Sequence, residues 1–244
     1  MASEIAKSLS KRFLQAYNQL DEHMRKELRE PPETPHKRLL AKMIAKNLLL
    51  EGKLYELETF ARLRNSIVHT FFPDAEPIAE PHERIVEEFE QLVRQILHPP
   101  TALSRAVLTQ DIFTTNLDQR VIEVIGVMNS KVYTHVPLLQ NGSVSGVFSE
   151  NTDFSYMAHH QHAAISPETL MAEFSKFLPL RNHASEDFYF VPEHATIVDL
   201  GREFREGFAK HKRIAAIFIT HDGTDAGKLL GLVTAADMAG LSGL

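Results

Sequence analysis

The chain has 244 residues, a formal net charge of −6, 43% hydrophobic residues and no cysteine. Its length allows one large or two modest domains with real cores. The missing cysteines exclude a disulfide framework and a thiolate zinc site, and the net negative charge argues against coating long nucleic acid through many phosphate contacts. No apolar run approaches the roughly 18 residues needed to cross a bilayer, and nothing resembles a leader, so a cytoplasmic protein with no membrane attachment is expected.

The first hundred residues carry four helical patterns and no strand signal. Apolar side chains share one face at Ile5, Leu9, Phe13, Tyr17 and Leu20, and again at Leu39, Leu40, Met43, Ile44 and Leu48. A third face holds Leu54, Leu57, Phe60, Leu63 and Ile67, and a fourth Ile85, Phe89, Leu92, Val93 and Ile96. This is the spacing of amphipathic helices. Prolines punctuate the segment at Pro31-Pro32 and Pro35, from Pro73 to Pro81, and at Pro99-Pro100, where a helix cannot continue. An antiparallel helical bundle over residues 1–98 follows. Positive charge concentrates on its early helices, through Arg64, and the remainder is acidic; most of these charges belong to solvated helix faces.

The third helix contains Leu63-Arg64-Asn65-Ser66-Ile67-Val68-His69-Thr70-Phe71. An imidazole titrates near neutral pH and can accept or donate a proton, and a guanidinium can hold charge that develops on phosphorus. Residues five apart on a helix diverge by about 140°, so Arg64 and His69 of one chain make a poor pocket, whereas Asn65 and His69 share a face. The segment resembles the HEPN domain, a helical bundle marked by R-x(4–6)-H with a polar residue after the Arg. The resemblance implies a metal-independent endoribonuclease whose catalytic residues are Arg64, Asn65 and His69, assembled where two bundles pair in a homodimer, with RNA as substrate and 2′,3′-cyclic phosphate ends as product. A plainer reading is open: an Arg and a His near a helix C-terminus complement the macrodipole.

From residue 104 onward the pattern changes to strand, helix, hairpin, helix, and it occurs twice. The helices carry Val121, Ile122, Ile125 and Met128 in one copy and Ile197, Val198, Leu200 and Phe204 in the other. The hairpins begin with Val136-Pro137-Leu138-Leu139 and with Ile214 to Ile219. The first turn, Asn141-Gly142, suits a tight hairpin because both positions accept positive φ. The copies close on Gly146-Val147-Phe148-Ser149-x-x-Thr152 and Gly231-Leu232-Val233-Thr234-x-x-Asp237. Internal repeats of this size bury their apolar faces against each other.

This order of elements and the closing G-h-x-[S/T]-x-x-D pattern resemble the CBS domain, which occurs as a tandem pair. The expected fold class is therefore α+β: the helical bundle, then a CBS pair over 104–244, with repeat one about 104–165 and repeat two about 183–244. The resemblance implies an adenine nucleotide (ATP, ADP or AMP) as regulatory ligand, with no required cofactor, bound by Gly231, Thr234 and Asp237 and by Gly146, Ser149 and Thr152. A carboxylate can accept from both hydroxyls of a ribose, and free N–H groups at a helix start suit a nearby phosphate. The first copy lacks the carboxylate: Thr152 stands in its place and Asp153 lies about 100° further round the helix,. Two unequal sites are expected, unless Ser149 and Thr234 merely cap helices. Arg202, Arg205, Lys210, Lys212 and Arg213 are candidate phosphate ligands. The cluster His159, His160 and His162 has no carboxylate within it, and no metal site is expected.

Joined, the halves describe a nucleotide-sensing CBS pair that regulates a HEPN-type ribonuclease. The alternative is a non-catalytic nucleotide-sensing module that dimerises or binds a partner protein. A third reading makes the bundle a non-catalytic RNA or nucleotide binder through Lys53, Arg62 and Arg64. Whether Arg64 faces an open groove or its own core separates them.

Overall fold

The computed structural model describes residues 8–68, 79–160, 165–209 and 213–239. Ile5, His69, Phe71, Pro73, His162, Lys210 and Lys212 lie outside the described residues. The chain divides into two compact units, residues 1–100 and 101–239.

In the first unit, α1 (Leu9–Leu28), α2 (His36–Lys46), α3 (Leu54–Val68) and α4 (Glu83–Leu97) surround one core. The Ser8 hydroxyl accepts from the Lys11 N–H and caps α1, satisfying one of the donors a helix start leaves free. The helix stops at Arg29, which is left-handed at φ 54°, just before Pro31. The α2 helix ends at Lys46, earlier than its apolar spacing predicts, and residues 48–53 form a 3-10 turn instead. Asn47 leaves the helix there in an extended conformation, as expected of a residue type that competes poorly for helix interiors.

The sequence-derived faces are the ones that pack inward. Phe13, Phe60 and Phe89 meet at centroid distances of 4.7 Å (Phe13–Phe89) and 4.5 Å (Phe60–Phe89) and tie α1, α3 and α4 together. Leu54, expected on the inner face, is exposed because α3 starts there, at the edge of the core.

The second unit mixes helix and sheet. It contains β1 (Val107–Leu108), α5 (Val121–Lys131), β2 (His135–Gln140), β3 (Ser143–Ser149), α6 (Glu150–His160), β4 (Glu186–Pro192), α7 (Ile197–Ala209), β5 (Arg213–Thr220), β6 (Leu229–Val233) and α8 (Ala235–Met238). β2 and β3 form an antiparallel hairpin through Asn141 and Gly142, at φ 54° and 85°. The larger sheet has the order β1-β6-β5-β4, with β4 parallel to β5 and the other pairs antiparallel. Val144 and Val147 of the hairpin pack with Ala216, Phe218 and Leu229 of the larger sheet in one shared cluster. The two copies therefore bury their inner faces against each other.

The copies are not equivalent. The strand expected to open the first copy is reduced to a single bridge, Thr115 to Leu138. The chain before it runs across to the second copy, where Val107 pairs with Leu232 and Leu108 with Gly231. That pairing covers the edge of β6, which would otherwise present unpaired N–H and C=O groups.

Candidate functional site

The two motif glycines have a packing role. A Cβ on Gly231 would stand 2.8 Å from the Ala106 Cβ and 3.2 Å from the Val107 carbonyl oxygen. One on Gly146 would stand 2.7 Å from the Leu178 carbonyl oxygen, the same oxygen that accepts from the Val147 N–H at 2.9 Å. In each copy a preceding or following segment lies directly on the second strand of the hairpin, and only a residue without a side chain leaves room for it.

Past the second glycine, β6 delivers Thr234 to the start of α8. The Asp237 Oδ2 accepts from the Thr234 backbone N–H at 2.7 Å and from its hydroxyl at 2.8 Å. Both residues are half-buried. Both bonds go to Oδ2, and among the described residues Oδ1 has no protein partner. The carboxylate is thus fixed in orientation while one oxygen stays free to accept from a diol. The same geometry occurs at Thr196 and Asp199 at the start of α7, with bonds of 2.9 and 2.8 Å. This Thr-x-x-Asp spacing was readable as a capping box, and sequence reasoning passed over it. A Thr–Asp pair is therefore first a helix cap; the strand and glycine before Thr234 distinguish it.

The first copy is built differently. Ser149 and Thr152 are 1% and 2% exposed. The Thr152 hydroxyl oxygen accepts from the Ser149 backbone N–H at 2.9 Å, and the Ser149 hydroxyl donates to Glu186 Oε2 at 3.0 Å. Asn151 Nδ2 donates to Glu186 Oε1 at 2.9 Å, and the rings of His135 and His183 approach the two oxygens at 3.0 and 3.3 Å. Nothing in the sequence pattern singled out Glu186, at the start of β4. Its side chain is only 5% exposed. Burial alone would raise its pKa, but the two imidazoles and the Ser149 hydroxyl outweigh that and hold it far below the usual carboxylate value,. A carboxylate accepts only, so His135 Nε2 carries a hydrogen toward it, and the ring's Nδ1 lies 2.7 Å from the Thr134 hydroxyl,. Among the described residues no three His, Asp or Glu side chains are placed to hold a metal ion, so this cluster is a hydrogen-bond network. Where the second copy keeps a free carboxylate oxygen, the first is filled by the chain's own carboxylate.

Asp153 does not compensate. It lies in an open cleft of about 640 Å3 between α5 and α6, with Glu150 beside it. Its Oδ1 is buried without a partner among the described residues, and burial, together with Glu150, pushes its pKa up to about 6. Of the candidate phosphate ligands, Arg202 is engaged by Asp199 at 3.0 Å and Arg213 is exposed at the start of β5.

In the helical unit, Arg64 and Asn65 both line an open cleft of about 580 Å3 between α1, α2 and α3. They are not packed into the core. Arg62 lines the same cleft, whereas Lys53 is paired with Glu56 at 3.1 Å.

The sequence model of the CBS domain family matches residues 180–242. A CBS domain therefore occupies that stretch, which contains β4, α7, β5, β6, Thr234 and Asp237. No curated protein matches the chain. Among solved structures, a hemolysin-like protein containing a CBS domain from Oenococcus oeni PSU is 16% identical, with 57% of this chain and 86% of that chain covered at a TM-score of 0.38. CBSX2 in complex with AMP is 15% identical, with 57% and 92% covered at 0.40. CbpB in complex with c-di-AMP is 14% identical, with 64% and 90% covered at 0.44. Among the described residues no helix is long and apolar enough to cross a membrane.

Proposed function

We propose that residues 101–239 form a CBS pair that senses an adenine nucleotide, ATP, ADP or AMP, at the second motif copy, and that the helical unit is the element it regulates. The observation that carries this reading is the contrast between the copies. Asp237 is oriented by Thr234 and its Oδ1 has no protein partner among the described residues, inside the stretch that matches the CBS family, and Glu186 fills the first copy. The Asp237 carboxylate would accept from the ribose diol, and the start of α8 lies beside it. Gly231 shapes the strand that presents them, and Gly146, Ser149 and Thr152 form the closed counterpart.

Ligand at about 100 times its dissociation constant adds roughly 2.7 kcal/mol to the folded state, which raises the melting point of a unit this size by several degrees. AMP, ADP and ATP are compared on the wild type, Asp237→Ala and Ser149→Ala. Asp237→Ala should abolish the rise and Ser149→Ala should leave it. A full rise in Asp237→Ala places the nucleotide elsewhere.

One observation favours a second reading, in which the helical unit is a HEPN-type ribonuclease acting as a homodimer. Arg64 and Asn65 face an open cleft, where a phosphodiester can reach them. Its test is cleavage of mixed RNA in EDTA by wild type and His69→Ala, with and without nucleotide. Cyclic phosphate ends that vanish in the variant support it. No cleavage under any condition leaves the sensing and partner-binding role.

A further inference from the structure

The cleft that holds Arg64 also contains a side-chain arrangement that neither motif announced. His36, at the first position of α2, places Nδ1 2.7 Å from Asp21 Oδ1 on α1. The other Asp21 oxygen accepts from Arg25 Nε at 2.7 Å. A carboxylate paired with a guanidinium only accepts, so Nδ1 of His36 carries the hydrogen and Nε2 of the neutral ring carries a lone pair. The ring is stacked on Tyr17 at 4.4 Å. Its neutral form is favoured, because burial, the largest influence, together with Arg25 and Arg64 lowers the imidazole's pKa against the raising effect of Asp21.

Tyr17 is buried against the core, and burial pushes its hydroxyl up to about 12 despite the opposing Arg64. It therefore stays protonated and can donate. The Arg64 guanidinium stands 5.4 Å from the Tyr17 ring centre, and its Nε is buried without a partner among the described residues. Its one hydrogen bond among the described residues is a long contact of 3.3 Å to Asn65 Oδ1. Arg62 and Lys37 also line the cleft, and neither is in an ion pair among the described residues. Asp21 is consumed by Arg25 and His36, which leaves Glu58 as the other lining carboxylate.

We propose that this cleft is a binding site for a small sugar phosphate, either free or as the sugar-phosphate end of a mononucleotide. The phosphate is held by Arg64, Arg62 and Lys37 and hydrogen-bonded by the Tyr17 hydroxyl. His36, held in its tautomer by Asp21, accepts from a sugar hydroxyl through Nε2. The chemistry selects this class for two reasons. Three cations not spent on carboxylates, beside a neutral donor, suit a group with three terminal oxygens and up to two charges. A fixed lone pair on imidazole needs a ligand donor, which a bare phosphate dianion lacks and a sugar supplies. The volume, about 580 Å3, lies in the range of small-molecule pockets. The site uses neither Thr234 nor Asp237, so it stands or falls separately from nucleotide sensing; it shares Arg64 with the RNA-cleavage reading, from which the RNA titration below separates it.

The test follows the ring C–H signals of the histidines by NMR in the full chain, with His36 assigned from His36→Gln. Ribose 5-phosphate, ribose and a short RNA are titrated to about 10 mM, which reaches dissociation constants in the millimolar range. Ribose 5-phosphate should move the His36 signal saturably and ribose alone should not. Arg64→Gln and the more exposed Arg62→Gln should each weaken the response on the order of tenfold, the usual cost of a charge-assisted hydrogen bond, while Asp237→Ala should leave it unchanged. An unmoved His36 signal overturns the proposal, as does an equal response to ribose or an undiminished response in both arginine variants. Movement with RNA but not with ribose 5-phosphate also overturns it and makes the cleft a nucleic-acid site. Loss in Asp237→Ala would locate the binding at the second motif copy instead.

Discussion

Removing the Glu186 carboxylate is the sharpest perturbation the second unit offers. Four donors converge on it: Asn151 and His135 on Oε1 at 2.9 and 3.0 Å, Ser149 and His183 on Oε2 at 3.0 and 3.3 Å. Glu186→Ala leaves the buried Ser149, His135 and His183 without their shared acceptor, while the exposed Asn151 can turn to solvent. Breaking a buried charged network by deleting one partner costs about 3–5 kcal/mol, and at about 2–4 °C per kcal/mol the melting point should fall by roughly 6–20 °C. Glu186→Gln should cost less, because one oxygen remains, but its amide turns donor against donor at the other.

The pH dependence follows from the same contacts. The unfolded chain takes up a proton at Glu186 near 4.5, and the folded chain does so only far below that. Between those values the unfolded state binds more protons, so stability rises with pH. The contribution of Glu186 is therefore complete above pH 4.5 and disappears as pH falls below it. Urea titrations of wild type and Glu186→Ala from pH 7 to pH 3 measure the difference, which should shrink on the acid side. A difference below about 1 kcal/mol at pH 7, the worth of a single ordinary hydrogen bond, would refute the network account. So would a difference that stays constant to pH 3.

Other consequences are open to test. Asp153, raised from 3.8 to about 6, reverses the sign: its destabilisation appears as pH rises through that window. Asp153→Asn should stabilise the second unit by about 1 kcal/mol at pH 7, the shift being discounted for the screening of a partly exposed group, and by little at pH 4, read from urea midpoints at both values. Gly231→Ala forces a Cβ to within 2.8 Å of Ala106, a close-packed insertion worth about 1–3 kcal/mol. Amide exchange should report it as lost protection in β1, and unchanged protection there would mean the segment yields without cost. Phe89→Ala removes the ring that touches both Phe13 and Phe60 and should cost about 3–5 kcal/mol in thermal unfolding of the helical unit.

Much of the local architecture was legible in the residues. The helix faces carrying Phe13, Phe60 and Phe89 could be read because helical periodicity is a property of neighbouring positions. The Asn141-Gly142 turn was readable for the same reason, since its demand for positive φ is met within two residues. The short Thr234-x-x-Asp237 box also lies inside one turn of helix. Each of these signals is local, so no tertiary information was needed to find it.

What the sequence by itself determined is where apolar periodicity places most of the helices and the first hairpin turn, and that the closing motif occurs twice after a helical region. Only the tertiary structure decided how the copies differ. The pairing of Val107 with Leu232 joins strands far apart in the chain, and nothing in a two-residue strand specifies its partner. Glu186 reads as an ordinary acidic residue until β4 carries it beneath Ser149 and Asn151. Tyr17, His36 and Arg64 come together because α1, α2 and α3 pack on one core. The physical reason is range: backbone propensity and side-chain period act over one or two turns, whereas a site is set by close packing between segments whose separation along the chain carries no signal of its own.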